Sequence, residues 1–369
     1  MTMQRREFIS AAASALALGS LPAAAKVKQP EPKFLWSYLA HFGVNSWKDV
    51  PLETQDPNMD EKWLTRCCAN HVRFDEPSWG RLSAALAKAG CNQLIIDLAE
   101  IVEYPSHPEL AVKGSWSVDR LRKELDRLRG MGFEVIPKMN FSACHDTWLK
   151  EYHRMVSTKT YYKVVADVIA DVCKIFDKPA LFHIGFDEEV PVAGKGLFSA
   201  IYRQGDLWWH DLLYTVRQVE RNGARAVMWS DKICDGREAF LSRMPKDVLL
   251  SPWYYGVDFS EKRLAWDASF EKKSGTWDVQ RNLSASFVAL NDAGYDLLPC
   301  TSNWSRDDAS EALVSFCKTR LDQKRLKGIY TAPWKFTIPD EPKKKNISKT
   351  LEGIDLFAAA MDKHYGANS

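Results

Sequence analysis

Three consecutive acids, Asp187, Glu188 and Glu189, follow a short apolar run that is typical of a buried strand. Two carboxylates that share a partly dry site push each other's pKa values apart, so one of them can keep a proton near neutral pH. That proton can be given to a leaving group by general acid catalysis. The alternative for such a cluster is a solvated turn that caps the next helix. We favour acid–base chemistry because of the residues that surround this segment.

Polar and aromatic side chains recur where the other apolar runs end. Acids, imidazoles and an amide follow the second to fifth runs, and aromatic side chains follow the fifth to eighth. Indole and phenol rings stack on sugar rings, so we predict a sugar-binding pocket with a charged side and an aromatic side. The 14 tryptophans fit this interpretation, although any one of them could cover a barrel mouth for structural reasons alone. The candidate residues are Glu100, Asn140, His145, His183, Asp187, Glu188, Trp229, Asp231, Trp253, Tyr254, Tyr255, Trp304 and Trp334.

The elements that must position these residues alternate along the chain. Apolar strand-like runs separated by amphipathic helix-like segments predict parallel βαβ units. Eight units predict a single (β/α)₈ TIM barrel, with a doubly wound open sheet as the alternative. No glycine-rich phosphate motif follows the first run, which argues against a nucleotide fold. The predicted strands are residues 34–45, 93–102, 134–141, 180–187, 225–230, 248–255, 296–304 and 328–336. The predicted helices include residues 79–89, 118–129, 161–176, 207–221, 309–325 and 351–364.

The connections differ between the two ends of the predicted barrel. Helices end in Gly90, Gly132, Gly223 and Gly294 shortly before the next strand, as left-handed caps do. The segments after the strands are longer, above all residues 46–77, 188–206 and 256–283, and active sites of such barrels lie in these loops. We predict one domain over residues 26–369 without internal repeats. Residues 343–345, three lysines, are interpreted as a solvated loop.

The first 25 residues are predicted to be a signal peptide. Arg5 and Arg6 precede Phe8, an apolar stretch over residues 11–21 and three alanines at 23–25. This pattern indicates a twin-arginine export signal, with an ordinary secretory signal as the alternative. We therefore expect a periplasmic or otherwise extracytoplasmic protein that begins near Lys26. No later segment is long and apolar enough to span a membrane.

The composition limits the kinds of partner and cofactor that the protein is expected to bind. Lys plus Arg (50) and Asp plus Glu (48) nearly cancel, which gives no indication of a nucleic-acid partner. None of the eight cysteines forms a C-x-x-C pair, and most lie in apolar runs, so we predict neither a disulfide framework nor a zinc site. A mononuclear metal site from His145, His183 and Asp187 is an alternative, but we predict no metal and no cofactor. The oligomeric state is left open.

One segment carries a family resemblance. His183-Ile184-Gly185-Phe186-Asp187-Glu188 resembles the H-x-G-G-D-E motif of family 20 glycoside hydrolases, the β-N-acetylhexosaminidases, with Phe186 in place of the second glycine. The stretches 137–145 and 227–231 are similar to the family's strand-three and strand-five segments. Trp253 and Trp334 match its tryptophans on strands six and eight.

The resemblance implies a retaining, substrate-assisted mechanism. Glu188 would be the general acid, and Asp187 would orient the substrate's 2-acetamido group, whose carbonyl oxygen attacks the anomeric carbon. His145 would contact Glu188 and be held by Glu100. Trp229, Trp253 and Trp334 would form the sugar pocket, and Tyr254 or Tyr255 would supply a hydroxyl to the acetamido oxygen.

The sequence departs from the family where ring hydroxyls are bound. Residues 34–45 lack the family's arginine, residues 301–304 lack its Tyr-x-Asp, and Phe336 replaces an acid. We therefore expect a related reaction on a different sugar or linkage, or a lost activity. Three alternatives stay open. They are a two-carboxylate glycosidase that pairs Glu188 with Asp231, Glu100 or Asp97, a non-catalytic glycan-binding barrel, and a metal-dependent hydrolase.

Overall fold

The structure, a computed structural model, describes residues 33–366 except 274 and 343. The predicted signal peptide lies outside the described residues. Ten strands occur in the described part. They are β1 (Leu35–His41), β2 (Lys48–Pro51), β3 (Cys67–Cys68), β4 (Gln93–Asp97), β5 (Glu134–Lys138), β6 (Leu181–His183), β7 (Arg225–Trp229), β8 (Leu249–Ser251), β9 (Cys300–Thr301) and β10 (Gly328–Thr331).

Ten α-helices follow or separate these strands, and the longer ones form the outer layer. They are α1 (Glu61–Leu64), α2 (Glu76–Lys88), α3 (Val118–Gly130), α4 (Lys159–Ile175), α5 (Gly205–Arg221), α6 (Arg237–Arg243), α7 (Glu261–Leu264), α8 (Leu283–Asp292), α9 (Ala309–Arg320) and α10 (Ile347–Tyr365). Side-chain caps begin several of them: Asp75, Ser117 and Thr158 accept backbone N–H groups of α2, α3 and α4. None of the described helices has the length and apolar character that a membrane crossing requires.

Eight of the strands form one parallel sheet in the order β8-β7-β6-β5-β4-β1-β10-β9. Parallel bridges from Leu250 to Leu297 and from Trp253 to Cys300 join the two ends of this order. The sheet is therefore closed, which confirms the predicted (β/α)₈ barrel and excludes the open doubly wound sheet.

Alternation along the strands explains why the barrel has two apolar layers. Successive strand residues point to opposite faces, so Leu94 and Ile96 of β4 pack against the helices while Ile95 between them points inward. Ile95 joins Leu39, Ile136 and Val227 in the barrel interior, where all four are fully buried. Continuous apolar runs are what such two-sided burial requires.

Several predicted boundaries are wrong. The fourth predicted strand ends at His183 instead of residue 187, because Gly185, Phe186 and Glu188 adopt left-handed backbone conformations. The predicted helix 309–325 ends at Arg320, where Leu321 turns extended. Within the predicted loop 46–77, β2 and β3 form a small parallel sheet. The four predicted glycine caps all have positive φ, between 79° and 96°.

Candidate active site

The backbone after β6 turns sharply at Gly185. Its φ is 74°, and a Cβ atom placed there would lie 2.0 Å from Oδ1 of Asn140. That oxygen accepts the N–H groups of Ser142 and Phe186. Only glycine allows this approach, so Gly185 and Asn140 together fix the direction in which the following carboxylates leave the strand.

Phe186 keeps the left-handed conformation although it is not glycine. Its φ is 69°, which costs roughly 1–2 kcal/mol for a residue with a Cβ. Its ring is 1% exposed and packs edge-on against Trp208, with the Arg203 guanidinium 4.9 Å from the ring centre. Burial of an aromatic ring offsets a cost of this size. The replacement of the motif's glycine therefore preserves the turn.

Glu189, the third acid, has a structural role. Its carboxylate accepts hydrogen bonds from Nε and Nη2 of Arg203, and both side chains are buried. Arg203 also donates to Asp211 and to the carbonyl oxygen of Phe141. This buried network attaches the loop after β6 to α5 and leaves Asp187 and Glu188 as the acids that face the cavity.

Asp187 and Glu188 are each held by a neutral amide. Nδ2 of Asn140 donates to Oδ1 of Asp187 at 2.7 Å, and Nε2 of Gln280 donates to Oε1 of Glu188 at 3.2 Å. Their side chains are 14% and 25% exposed. The two carboxylates are thus oriented and partly dry, the environment in which a carboxyl group acts as an acid or base.

His145 lies against both carboxylates. Its Nε2 atom is 3.6 Å from Oδ2 of Asp187 and 3.4 Å from Oε2 of Glu188. Burial alone would lower the pKa of His145, but the negative charges of Asp187 and Glu188 outweigh it and raise the pKa above its usual value. His145 can therefore carry a positive charge beside the acidic pair.

Asp231 lies behind the acidic pair, where its Oδ2 atom accepts the backbone N–H of Glu188 at 2.9 Å. Burial, and after it the negative charge of Asp187, raises the pKa of Asp231 to about 7. Its Oδ1 atom is buried without a hydrogen-bond partner among the described residues. Asp231 therefore gains a proton near neutral pH, directly beneath the two acids of the cavity.

We expect Asp231→Asn to stabilise the protein at alkaline pH. The carboxyl group binds its proton up to about pH 7 in the folded state, but only up to about pH 4 when unfolded. Stability is therefore lost as pH rises through this window, and the neutral amide avoids the loss. The free energy of unfolding of the variant relative to wild type should rise by about 2 kcal/mol between pH 5 and pH 8.

Urea denaturation at the two pH values measures this difference, with Asp292→Asn as the control at an exposed position. If the free energies of unfolding of wild type and Asp231→Asn differ by the same amount at pH 5 and pH 8, the pKa of Asp231 is not raised in the folded protein.

The cavity at this end of the barrel has a volume of about 720 Å³. Trp229, Trp253, Tyr255 and Trp334 form an aromatic wall, in which Trp253 stacks on Tyr255 and the rings of Trp229 and Trp334 lie 5.9 Å apart. Asp187 and Glu188 line the same cavity. A sugar ring can stack on such a surface while carboxylates reach its polar atoms.

Three buried polar atoms at the cavity have no partner among the described residues. They are Nε1 of Trp229, Nε1 of Trp334 and Oδ1 of Asn303. Buried donors and acceptors are normally satisfied, so these atoms indicate groups that a bound ligand would pair. These atoms add two donors and one acceptor to the charged and amide groups of the cavity wall.

The structure brings most of the predicted residues together. His145, Asp187, Glu188, Trp229, Trp253, Tyr255, Trp304 and Trp334 line the cavity. Of the two tyrosines left open, Tyr255 lies at the cavity, while Tyr254 packs against Phe259 and under Arg263. Asn140 and Asp231 lie behind the wall and contact the acidic pair from there.

Two predicted placements are wrong. Glu100 does not hold His145. The buried carboxylate of Glu100 accepts the backbone N–H groups of Val44 and Asn45. Neither ring nitrogen of His145 has a hydrogen bond among the described residues. His183 is fully buried beneath the ring of Trp229, where its Nδ1 accepts the N–H of Gly185. Burial lowers the pKa of His183 well below its usual value.

Sequence analysis missed three uncharged residues of the cavity wall: Trp47, Trp277 and Gln280. Trp47 and Trp277 could have been suspected, since both lie in long segments after predicted strands. Gln280 belongs to no motif. In the loop that was predicted to be solvated, Lys345 is exposed and Lys344 is half-buried, and both line the cavity.

The residues that could hold a metal differ from the set that the sequence offered as an alternative. One donor atom each of His145, Asp187 and Glu188 lies within 4.8 Å of the others. His183 is separate from this group, as its nitrogens contact Gly185 and Tyr330. The mixed imidazole and carboxylate set is chemically suitable for a divalent ion.

The fold is similar to solved β-N-acetylhexosaminidase structures. The enzyme from Bacteroides fragilis matches with a TM-score of 0.54 and 12% identity over 88% of this chain and 66% of that chain. The GH20 exo-β-N-acetylglucosaminidase from Vibrio harveyi in complex with N-acetylglucosamine matches with a TM-score of 0.54 and 14% identity, over 91% of this chain and 57% of that chain. A mutant Streptomyces plicatus β-hexosaminidase in complex with its product matches with a TM-score of 0.56 and 13% identity, over 89% of this chain and 64% of that chain.

At these identities the comparison establishes the barrel fold, and the chain spans 57% to 66% of the length of the three proteins. No protein-family model and no curated protein matches the sequence.

Proposed function

We propose that the protein is a glycoside hydrolase that acts on glycans containing N-acetylhexosamine. One observation carries the proposal: Asp187 and Glu188 are adjacent, both face a cavity walled by tryptophans, and both lie within 4 Å of His145. The similarity to solved β-N-acetylhexosaminidases and the motif at residues 183–188 support the same assignment.

The proposed mechanism is retaining and substrate-assisted. Glu188 protonates the glycosidic oxygen while the carbonyl oxygen of the 2-acetamido group attacks the anomeric carbon. Asp187, held by Asn140, accepts a hydrogen bond from the acetamido N–H and stabilises the positive charge of the oxazolinium intermediate. Glu188 then removes a proton from the attacking water. His145, whose pKa the two carboxylates raise, can carry a positive charge beside them during the reaction.

A two-carboxylate mechanism is less compatible with the geometry. Asp97 is buried in an ion pair with Lys138 at 2.7 Å, and Glu100 is buried against the amides of Val44 and Asn45. Asp231 accepts the backbone N–H of Glu188 from behind the cavity wall. A partner carboxylate must reach the anomeric carbon, and none of these three lines the cavity.

The wall around the proposed sugar site explains the departures from the family motif. Phe336 stacks on Trp47 with ring centres 6.1 Å apart, so an apolar pair occupies the position where the family has an acid. Asn303 lies in place of the expected strand-seven pair and offers an unpaired oxygen. We infer that the ring hydroxyls are recognised differently, and hence that the sugar or linkage differs.

The proposed location is outside the cytoplasm, by way of the twin-arginine-type signal in residues 1–25. Fusion of these residues to a reporter and fractionation of the cells would test this location.

The activity is tested with a matched pair of aryl glycosides. We expect the purified protein to release 4-nitrophenol from the 2-acetamido-2-deoxy-β-glycoside at least about 100-fold faster than from the 2-hydroxy analogue, because the analogue lacks the internal nucleophile. Equal rates would favour a two-carboxylate mechanism. Binding of sugars by calorimetry without any release would identify a glycan-binding protein, and loss of activity with EDTA would identify a metal-dependent hydrolase.

A further inference from the structure

One side of the cavity is basic. Lys48, Lys62 and Arg66 reach it from the segment after β1, and four lysines reach it from the segment after β10. These four are Lys335, Lys344, Lys345 and Lys349. The carboxylates among the described residues of the wall are Asp187 and Glu188. A nearly neutral chain therefore concentrates positive charge at one face of the proposed active site.

Barrel topology places this basic side opposite the acidic pair. β1 and β10 are neighbours, so the segments that follow them lie next to each other. β6, which carries Asp187 and Glu188 at its end, is three strands from β1 and four from β10 in a closed barrel of eight. Most of the basic residues therefore come from strands that lie across the barrel from β6, although Lys48 also contacts Lys195 in the segment after β6.

Much of this charge is not neutralised within the protein. Lys349 pairs with Asp307 and Glu352, and the ammonium group of Lys48 donates to the carbonyl oxygen of Lys195. Lys62, Arg66 and Lys345 are exposed, and no carboxylate among the described side chains pairs with them. Burial and the charge of Arg66 lower the pKa of Lys48, which indicates like charges held close together.

We propose that the substrate carries an anionic group, a sulfate ester or a uronate carboxylate, which binds between the segments after β1 and β10. This proposal rests on the proposed function and names its substrate class. Lysine and arginine form charge-assisted hydrogen bonds with such oxyanions, and a cleft lined by one sign of charge attracts the opposite charge. The exposed indole of Trp304, over which the Lys335 ammonium lies at 5.4 Å, provides a stacking surface beside this group.

The test compares four substrates on the full-length protein. Two are aryl glycosides, the 4-nitrophenyl 2-acetamido-2-deoxy-β-glucoside and its 6-O-sulfate. The other two are disaccharides in which the same amino sugar is β-linked to glucuronate or to glucose. We expect kcat/KM for one of the two anionic substrates to exceed that of its neutral counterpart, the aryl glycoside or the glucose-linked disaccharide, by about tenfold at low salt. The advantage should shrink towards unity at 0.5 M NaCl, because salt screens exposed charges. The substrate that benefits identifies sulfate or carboxylate.

A double substitution locates the effect. Lys62→Gln with Arg66→Gln should lower the ratio of anionic to neutral kcat/KM about threefold to tenfold at low salt. Lys88→Gln with Lys123→Gln removes the same charge from exposed positions on α2 and α3 and should leave the ratio unchanged. An equal loss of the ratio in both double variants would mean that net charge, and not this site, is responsible.

Binding separates this proposal from the proposed function. If no substrate is hydrolysed, the hydrolase assignment fails, but calorimetry with N-acetylglucosamine 6-sulfate, glucuronate and N-acetylglucosamine still decides the anion preference. Tighter, salt-dependent binding of an anionic sugar would support the basic site. Equal or weaker binding of both anionic sugars, or anionic substrates that are cleaved no faster than neutral ones, would overturn it.

Discussion

Glu188→Gln is expected to lower kcat/KM for the 4-nitrophenyl 2-acetamido-2-deoxy-β-glycoside by about 10³-fold or more. The amide keeps the size of the side chain and its position beside Gln280, but it has no proton to give to the leaving group and takes none from water. Since the backbone N–H of Glu188, and not its side chain, bonds to Asp231, the turn after β6 should stay intact.

The choice of leaving group makes this result specific. A 2,4-dinitrophenolate departs with little help from an acid. In Glu188→Gln, the rate of glycosidic bond cleavage should therefore recover with the 2,4-dinitrophenyl glycoside, while the attack of water on the intermediate stays slow. Azide needs no general base and should restore turnover by forming a glycosyl azide. Glu103→Gln, at an exposed acid near the end of the second predicted strand, is the control and should retain wild-type rates. Full activity of Glu188→Gln with the 4-nitrophenyl substrate would refute its role as the acid.

The fold and the position of the acidic pair could be predicted because they follow from local patterns. Continuous apolar runs indicate strands that are buried on both faces. In β4, Leu94 and Ile96 pack on one face and Ile95 on the other, so all three residues are apolar. The motif at residues 183–188 specifies a turn through Gly185, and this local signal is visible in the sequence. The turn packs on Asn140, which lies 46 residues before Phe186 but at the end of the neighbouring predicted strand.

Residues beside the strands could not be assigned because their side-chain directions depend on non-local contacts. Glu100 lies near the end of a strand, as the sequence indicates, but a single helical turn after β4 directs it to the amides of Val44 and Asn45. His183 is within the motif, yet it is the residue that closes the barrel interior beneath Trp229. Tyr254 and Tyr255 are consecutive and face different sides, which the sequence alone leaves undecided.

The basic side of the cavity was missed for a different reason. It is assembled from two segments almost 300 residues apart in sequence, which become neighbours only because β1 pairs with β10 when the barrel closes. In the sequence, Lys344 and Lys345 belong to an ordinary polar loop, and Lys62 and Arg66 are isolated charges. A balanced net charge then suggests no anionic partner, although the charge is unevenly distributed around the site.

Asp187→Asn is expected to lower kcat/KM for the 2-acetamido substrate by about 10²- to 10³-fold, with a smaller effect on any slow cleavage of the 2-hydroxy analogue. The substitution removes the negative charge that stabilises the developing oxazolinium ion, and the new amide can also turn its NH₂ group towards the acetamido N–H. Because the 2-hydroxy analogue forms no such ion, a loss confined to the acetamido substrate identifies Asp187 as the partner of the internal nucleophile.

The neighbours of Asp187 make the same substitution informative about protonation. Removal of its charge also removes one of the two charges that raise the pKa of His145 and the largest electrostatic contribution to the raised pKa of Asp231. In Asp187→Asn, Asp231 should therefore lose its proton at a lower pH than about 7, and His145 should do so at a lower pH than in wild type. Carboxyl and imidazole NMR titrations measure both shifts. Asp292→Asn, which removes an exposed acid on α8, is the control. Equal losses on both substrates with unshifted titrations would mean that Asp187 acts only on packing, and that the attack on the anomeric carbon needs another nucleophile.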